Sequence, residues 1–178
     1  FGFLNAAPRP ISVQGATLEV PGPQIISGVG PVAGSEEALS LVGGDITIAG
    51  GTLKAPSGQV HLLSVASRGE VHPSTGSGAG TPGLSELRGP QTLGRITLTD
   101  SLIQTNPVPF GGGGDIVIRG GQLVMQHSAI TAEAGTFANG GAITIKVGDT
   151  LRADDSRIAS HSGEGVAGAV ALEAGKAI

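Results

Sequence analysis

Three residues with metal-binding or ion-pairing side chains recur at nearly regular spacing in the second half of the chain. Asp100, His127 and Asp155 stand 27 and 28 residues apart, and a serine directly follows each. If repeats of that length stack, a carboxylate, an imidazole and a second carboxylate form one outward turn column, which could bind a divalent cation or hold a charged histidine. The sequence favours the plainer interpretation, a column of turn formers whose short polar side chains satisfy nearby backbone groups.

Other chemistry-bearing groups give weaker signals. Asp154 and Asp155 beside Arg157 suggest the carboxylate clusters of β-helical polysaccharide lyases and hydrolases. Nothing pairs two carboxylates across a groove with a separate acid or base, so we predict no enzyme activity and no cofactor, with a carbohydrate-active enzyme as the alternative. The string at 78–83 fits G-x-G-x-x-G but lacks the strand and helix of a dinucleotide fold. The remaining histidines are isolated and are predicted to lie at the surface or in turns: His61, His72 and His161.

The composition limits the fold and the kind of partner. The 178 residues include 32 glycines and 11 prolines but no Cys, Trp or Tyr, and the net charge is −4 without any Lys/Arg cluster. Abundant glycine disfavours helices, and a nucleic-acid surface needs a basic face. No apolar run approaches the roughly 20 residues that cross a bilayer. The sequence therefore predicts an all-β fold with an aliphatic core, no transmembrane helix and no nucleic-acid partner.

A structural repeat must position the Asp/His/Asp column. Residues 114–118, 141–145 and 168–172 are three copies of a glycine turn followed by a short alternating strand, and 128–132 recurs at 156–160. Such units cannot bury their apolar face alone and must stack. We predict a parallel β-helix (β-solenoid) with coils of about 27 residues and loop excursions, in which the inward aliphatic ladders are Ile116, Ile118, Ile143, Ile145, Val170 and Leu172.

The same alternation predicts which residues point outward. One outward column holds Val117, Thr144 and Ala171, and another holds Arg119, Lys146 and Glu173. Phe110 and Phe137, also 27 residues apart, are expected to stack between coils. Residues 95–98 and 101–105 are interpreted as a shortened unit that lacks the middle strand.

Composition changes along the chain predict three regions. Residues 1–65 and 94–178 carry the strand patterns, whereas 66–93 is rich in Gly, Ser and Pro and is predicted to be a loop extruded from the barrel. Residues 27–38 are predicted to form a second, shorter loop. The last repeat stops partway through a unit without a visible polar cap.

Several segments together resemble the distal half of the secretion domain in large exoproteins of the filamentous haemagglutinin type. They are 1–4, 10–15, 39–46 and 55–67, and the likeness continues through 94–98 and 113–121 into the first coils of the shaft. The family's Asn-Pro export signals have no counterpart here, since Asn106-Pro107 lies in a shaft loop. Within this resemblance, 1–65 corresponds to the distal part of the secretion domain, as β-helical coils, and 94–178 corresponds to shaft repeats.

The resemblance implies a right-handed β-helix that a dedicated outer-membrane pore exports to the surface of a Gram-negative-type bacterium. It implies a role in adhesion, with host or neighbouring-cell glycans or proteins as partners. We therefore expect a secreted or cell-surface, non-catalytic segment that presents binding surfaces. The alternative is a subunit of an extracellular homopolymeric filament, since uncapped ends leave strand edges on which a second copy could stack.

Overall fold

The computed structural model describes residues 2–3, 8–21, 25–26, 30–31, 38–72, 86–88, 92–106 and 112–177. Within these ranges the protein is all-β, and no helix there is long and apolar enough to cross a membrane. The described strands, in chain order, are β1 (Gly2–Phe3), β2 (Ile11–Gln14), β3 (Thr17–Glu19), β4 (Ile25–Ile26), β5 (Gly30–Pro31), β6 (Ala38–Gly43), β7 (Ile46–Ala49), β8 (Thr52–Lys54), β9 (Gln59–Ser64), β10 (Gly69–His72), β11 (Glu86–Arg88), β12 (Arg95–Thr99), β13 (Leu102–Gln104), β14 (Ile116–Gln126), β15 (Ala129–Glu133), β16 (Ile143–Asp154), β17 (Arg157–His161) and β18 (Val170–Ala177).

Most of these strands stack in parallel in three rows. Row A consists of β6, β9, the first halves of β14 and β16, and the first part of β18. Row B consists of β2, β7, β12 and the second halves of β14 and β16, where the last two residues of β18 also pair. Row C consists of β3, β8, β13, β15 and β17. The prediction of an all-β fold with parallel strands is confirmed, and the arrangement is consistent with a β-solenoid.

Successive repeats form six levels along the stack. Level 1 holds β2 and β3; level 2 holds β6 to β8; level 3 holds β9, β12 and β13. Level 4 holds β14 and β15, level 5 holds β16 and β17, and level 6 holds β18. Adjacent strands of a sheet lie about 4.8 Å apart, so each level lengthens the stack by that distance.

The interior is an aliphatic column built from alternate residues of each row. In row A, Ile116 and Ile118 pair with Ile143 and Ile145 of the next level, and all four side chains are fully buried. Burying one such side chain stabilises the fold by about 1.5–3 kcal/mol. Rows B and C add fully buried side chains of the same kind: Ile46, Ile48, Ile96, Leu98, Leu123, Met125, Leu53, Ile103 and Ile130.

Level 6 keeps the predicted register but not the predicted burial. Val170 pairs with Ile143 and Leu172 pairs with Ile145, yet these side chains are 43% and 52% exposed. No described strand lies over them, so a residue in an inward position faces solvent there. Val117 shows the opposite behaviour, since it lies between two inward isoleucines and is nevertheless buried.

The predicted shortened unit is wrong in one respect, because no strand is missing from it. Ile96 pairs with Leu123 in row B, so 95–98 matches the second half of β14 rather than its start. The row A strand of this level is β9, where Val60 pairs with Ile116. β9 precedes the 66–93 excursion, so the excursion increases the number of residues between β9 and β12 without changing the register of the rows. The rows therefore continue across the predicted boundaries at 65/66 and 93/94.

The excursion has structure of its own. β10 and β11 pair antiparallel, and β10 also pairs with β1 near the start of the chain. Its neck is closed by a bridge between Val65 and Leu93 and by a 2.7 Å hydrogen bond from the Ala66 N–H to the Thr92 carbonyl. The predicted second loop overlaps the two-stranded β4–β5 ladder. Phe110 lies outside the described residues, and its expected partner Phe137 is 73% exposed.

Candidate functional site

The corner between rows B and C positions the Asp/His/Asp column. Its backbone is left-handed at five successive levels, with φ of 56° at Gly15, 62° at Gly50, 49° at Asp100, 47° at His127 and 44° at Asp155. Glycine adopts this conformation without strain, and Asp and His are among the other residues most often found in it. The left-handed backbone of the corner therefore explains why Gly, Asp and His occupy this column.

The serines that follow this column supply the hydrogen bonds of the corner. The hydroxyl of Ser128 donates to the Gln126 carbonyl at 2.7 Å and accepts from the Ser101 N–H at 3.2 Å. Ser156 repeats the pattern one level on, accepting from the Ser128 N–H at 3.2 Å. Side chains at this corner were expected to hydrogen-bond to nearby backbone groups. Ser128 and Ser156, here called the serine ladder, make these hydrogen bonds, and the neighbouring Asp and His side chains do not.

The structure brings Asp100, His127 and Asp155 together but does not arrange them around one point. The imidazole Nδ1 lies 3.9 Å from Asp100 Oδ1, and Nε2 lies 3.6 Å from Asp155 Oδ2. Because opposite edges of the ring face opposite carboxylates, the three groups cannot ligate a single ion from these positions. Across the described ranges, no group of three His, Cys, Asp or Glu side chains is placed to hold a metal ion. The three side chains form an exposed column along a shallow groove.

The adjacent carboxylates at 154 and 155 do not converge either. Asp154 is the last residue of β16 and its Oδ2 accepts from the Arg152 Nε at 2.9 Å. Asp155 occupies the left-handed corner position, where its side chain is largely exposed and faces His127. The Asp154 carboxylate therefore contacts Arg152 of its own strand, whereas the Asp155 carboxylate faces His127 in the neighbouring level. Two carboxylates that flank a scissile glycosidic bond would instead face each other across a cleft.

A second polar column runs along the corner between rows A and B. Asp45 Oδ1 accepts from the Arg95 N–H at 2.8 Å, the Arg95 Nε donates to Gln122 Oε1 at 3.0 Å, and Gln122 Nε2 donates to Asp149 Oδ2 at 2.8 Å. These side chains line an open groove of about 730 Å³ that the excursion neck borders at Leu93. The column links levels 2 to 5 with charges of both signs.

Sequence reasoning missed this second column because its members are irregularly spaced. The first two residues are 50 apart, since the excursion lies between them, and the later steps are 27. A usable signal was nevertheless present, because a glycine directly precedes each of the four. Among the residues that line the groove none is aromatic, so it has no stacking platform and presents carboxylate, guanidinium and amide groups for hydrogen bonding.

His61 is buried, so the predicted surface or turn position is wrong for this histidine. It lies within β9 with 8% of its surface exposed, and its Nδ1 is 3.5 Å from the Ser40 hydroxyl. In the described part of the chain, Nε2 has no hydrogen-bond partner. Burial lowers the pKa of His61 below its ordinary 6.5, against a smaller opposing effect of the Asp115 charge. The side chain of His72 lies outside the described residues, and His161 is exposed at the end of β17.

The outward charged column behaves as its register predicts. Arg119, Lys146 and Glu173 occupy one position of row A at successive levels, and Lys146 Nζ lies 2.9 Å from Glu173 Oε2. The hydrogen bond and charge of Lys146 lower the pKa of Glu173, with a further contribution from Arg119. This is an exposed pair of the kind that contributes little to stability.

Comparison with known proteins identifies no relative. No family model, no curated protein and no solved structure matches the chain. Function is therefore inferred from the rows and the two polar columns.

Proposed function

We propose that the protein is a non-catalytic segment of a secreted or cell-surface bacterial protein, which holds binding surfaces away from the cell. The observation that carries this proposal is the continuous aliphatic interior, in which the inward aliphatic side chains of levels 3 and 4 are all buried. Each level contacts its neighbours through backbone hydrogen bonds and stacked side chains, which favours a stiff, elongated body. Loops that leave such a body are free to vary without altering its rows.

The handedness proposed for this body is right-handed. Each level connects one strand of a row to the next parallel strand of the same sheet through a crossover. Crossovers of that type are right-handed in about 98% of cases, because a right-twisted strand packs back on its sheet in that sense. The resemblance to filamentous haemagglutinin-type exoproteins implies the same handedness, and it also underlies the proposed export through an outer-membrane pore.

A non-catalytic role is supported by how the polar side chains are used. Buried hydroxyls donate to backbone carbonyls of the stack, as Ser64 does to Gly44 and Thr105 does to Gly114. Within each exposed polar column, the side chains contact one another from level to level. The groove beside Leu93, with its hydrogen-bonding groups and no aromatic lining, is the surface that best suits a hydroxyl-rich partner such as a glycan.

Adhesion is tested with beads that carry the 178-residue chain, mixed with cells of Gram-negative bacteria and with glycan-coated surfaces. We expect the folded protein to retain cells or glycan and an Ile118→Asp variant, which cannot keep its core, to lose this retention. Retention equal to that variant on every surface would refute the adhesive role. Incubation with polysaccharides provides the second arm, because release of sugars would contradict the non-catalytic role, and its loss in Asp154→Ala plus Asp155→Ala would identify an enzyme.

A second candidate function is a subunit of an extracellular homopolymeric filament. The parallel rows favour it, because the edge strands of stacked parallel strands can pair with a strand of another copy. Fibres of uniform width in electron micrographs would support this candidate, whereas strictly monomeric sedimentation would exclude it.

A further inference from the structure

The corner between rows A and B contains an extra residue at level 5. Between the paired positions of β14 and β16, level 4 has one residue, Gly121, whereas level 5 has two, Gly148 and Asp149. The pairing of β16 with β18 shows the same surplus, because level 6 again has a single residue, Gly175, at this point. Such an insertion is a β-bulge, which bends a strand and re-aims a side chain, and bulges are frequent next to active sites. Here the bulge carries the carboxylate that accepts from Gln122 beside the groove.

Gly148 differs from the glycines that line the same groove at levels 3 and 4. A Cβ at Gly94 would overlap the Ser64 hydroxyl, and a Cβ at Gly121 would overlap the Leu93 carbonyl oxygen, so close packing accounts for both glycines. At Gly148 an added Cβ would meet nothing within 4 Å, and φ is not positive. Neither packing nor backbone conformation requires glycine there, and the lack of a side chain keeps this part of the groove open.

The polar column along the groove uses only part of its own hydrogen-bonding capacity. Asp45, Arg95 and Asp149 are exposed residues. Contacts within the column use one oxygen of each carboxylate and one of the five guanidinium N–H donors. The second carboxylate oxygens can accept from O–H groups, and the other guanidinium N–H groups can donate to hydroxyl oxygens. The groove therefore offers both kinds of partner that a hydroxyl group needs.

The charges along the groove disfavour a charged ligand. Asp45 at level 2 and Asp149 at level 5 lie on either side of Arg95 at level 3. An anionic polymer laid along the groove would face a carboxylate toward each end, and a cationic polymer would face the guanidinium between them. Like charges brought together in an interface oppose binding, so an uncharged ligand fits this sequence of charges best.

We propose that this groove binds an uncharged glycan chain that lies along the stack. The polar column occupies levels 2 to 5, and levels lie about 4.8 Å apart, so it extends over about 14 Å, the length of a few pyranose units. The groove volume of about 730 Å³ falls within the range of small-ligand sites. The inference rests on the proposed adhesive function and specifies its ligand class and its binding surface.

Binding is measured by isothermal titration calorimetry with cello-oligosaccharides, manno-oligosaccharides and N-acetylated chito-oligosaccharides. Heparin and polygalacturonate serve as anionic probes. We expect at least one uncharged series to bind, with an affinity that rises from the disaccharide to the tetrasaccharide and then levels off, because further units extend beyond the groove. The anionic probes should not bind. Absence of binding in all three uncharged series, or tighter binding of an anionic probe, would overturn the proposal.

Two variants locate the site, with folding checked by circular dichroism. Asp149→Ala removes the carboxylate of the bulge and should weaken binding about tenfold, since hydrogen bonds to charged groups are among the stronger ones. Asp154→Ala is the matched control, because Asp154 belongs to the same strand and also accepts one side-chain hydrogen bond but does not line the groove. It should bind as the unsubstituted chain does. Gly148→Leu should block binding by filling the open part of the groove.

The groove and the adhesive function can fail separately. Equal affinities of Asp149→Ala and Asp154→Ala, or full binding by folded Gly148→Leu, would overturn the groove as the site. Beads that carry Gly148→Leu and retain cells as well as the unsubstituted chain would also overturn it, while leaving the adhesive role in place. Oligosaccharide binding that Gly148→Leu abolishes, without retention of cells by the unsubstituted chain, would support the groove and refute adhesion alone.

Discussion

Gly141, just before β16, should be far more sensitive to substitution than Gly148, within β16. The reason is that backbone atoms pack closely around Gly141, at the corner that precedes row A. A Cβ added to Gly141 would overlap the carbonyl oxygen and carbon of Gly114 and lie 2.8 Å from the Gly113 oxygen. All three atoms are backbone, so no side chain can rotate away. At Gly148, within β16, an added Cβ meets nothing within 4 Å. Neither glycine has a positive φ.

The magnitude follows from what Gly141→Ala must displace. Relieving the overlap separates levels 4 and 5 at this corner, where the Ala142 N–H donates to Asp115 at 2.7 Å and the Ile116 N–H donates to the Ala142 carbonyl at 2.9 Å. Two weakened hydrogen bonds at about 1 kcal/mol each, with about 1–3 kcal/mol of overpacking, give a loss of about 3–5 kcal/mol. Gly148→Ala should instead be neutral or stabilise by up to about 1 kcal/mol, because alanine restricts the unfolded chain.

Urea unfolding followed by far-ultraviolet circular dichroism measures both variants, since a chain without Trp or Tyr gives little intrinsic fluorescence. For a protein of this size, the expected loss in free energy of unfolding corresponds to a fall of roughly 10 °C in the Tm of Gly141→Ala when the protein is unfolded by heat. Equal midpoints for Gly141→Ala and Gly148→Ala, at unchanged slope, would show that the levels are not in backbone contact at this corner.

Three further predictions follow from burial and hydrogen bonding. Ile145→Ala should lower the free energy of unfolding by about 2–5 kcal/mol and Leu172→Ala by clearly less, because only the first side chain is enclosed; equal losses in urea titrations would contradict the row assignment. Ser128→Ala should cost about 1–3 kcal/mol by the same assay, since it leaves the Ser101 N–H without its acceptor, and a neutral result would remove the serine ladder as a stabilising element. Folding lowers the pKa of His61, so well above pH 6.5 this side chain is neutral in both the folded and the unfolded chain. As the pH falls through 6.5, the unfolded chain takes up a proton first, so the free energy of unfolding should fall. His61→Gln should flatten this pH dependence in unfolding titrations. An unchanged slope in His61→Gln would assign the acid sensitivity to other groups.

The inward ladders could be predicted because strand alternation and the 27-residue spacing coincide. Ile116, Ile118, Ile143 and Ile145 each follow a glycine turn and alternate with other residues, which specifies both register and side. The exposure of Leu172 could not be predicted in the same way, because alternation gives the direction of a side chain and not what lies over it.

The positions of polar residues were harder to predict. Asp100, His127 and Asp155 were found by spacing, yet the left-handed backbone that explains their types depends on corner geometry that spacing does not contain. The Asp45 to Asp149 column was hidden because the excursion separates its first two members in sequence. His61 was misassigned because it was judged only by its isolation in the sequence, which does not show that its side of β9 is covered in the folded chain.

The neck formed by Val65 and Leu93 has a consequence for how this scaffold can be altered. Because the chain leaves and returns at paired residues, the ends of any inserted segment are already held together by the body of the protein. Doubling the length of a flexible insert then costs only about 0.6 kcal/mol in closure entropy. The same position should therefore accept foreign peptides or small domains whose termini lie close together, and the neck becomes a natural graft point for displaying epitopes on a rigid support.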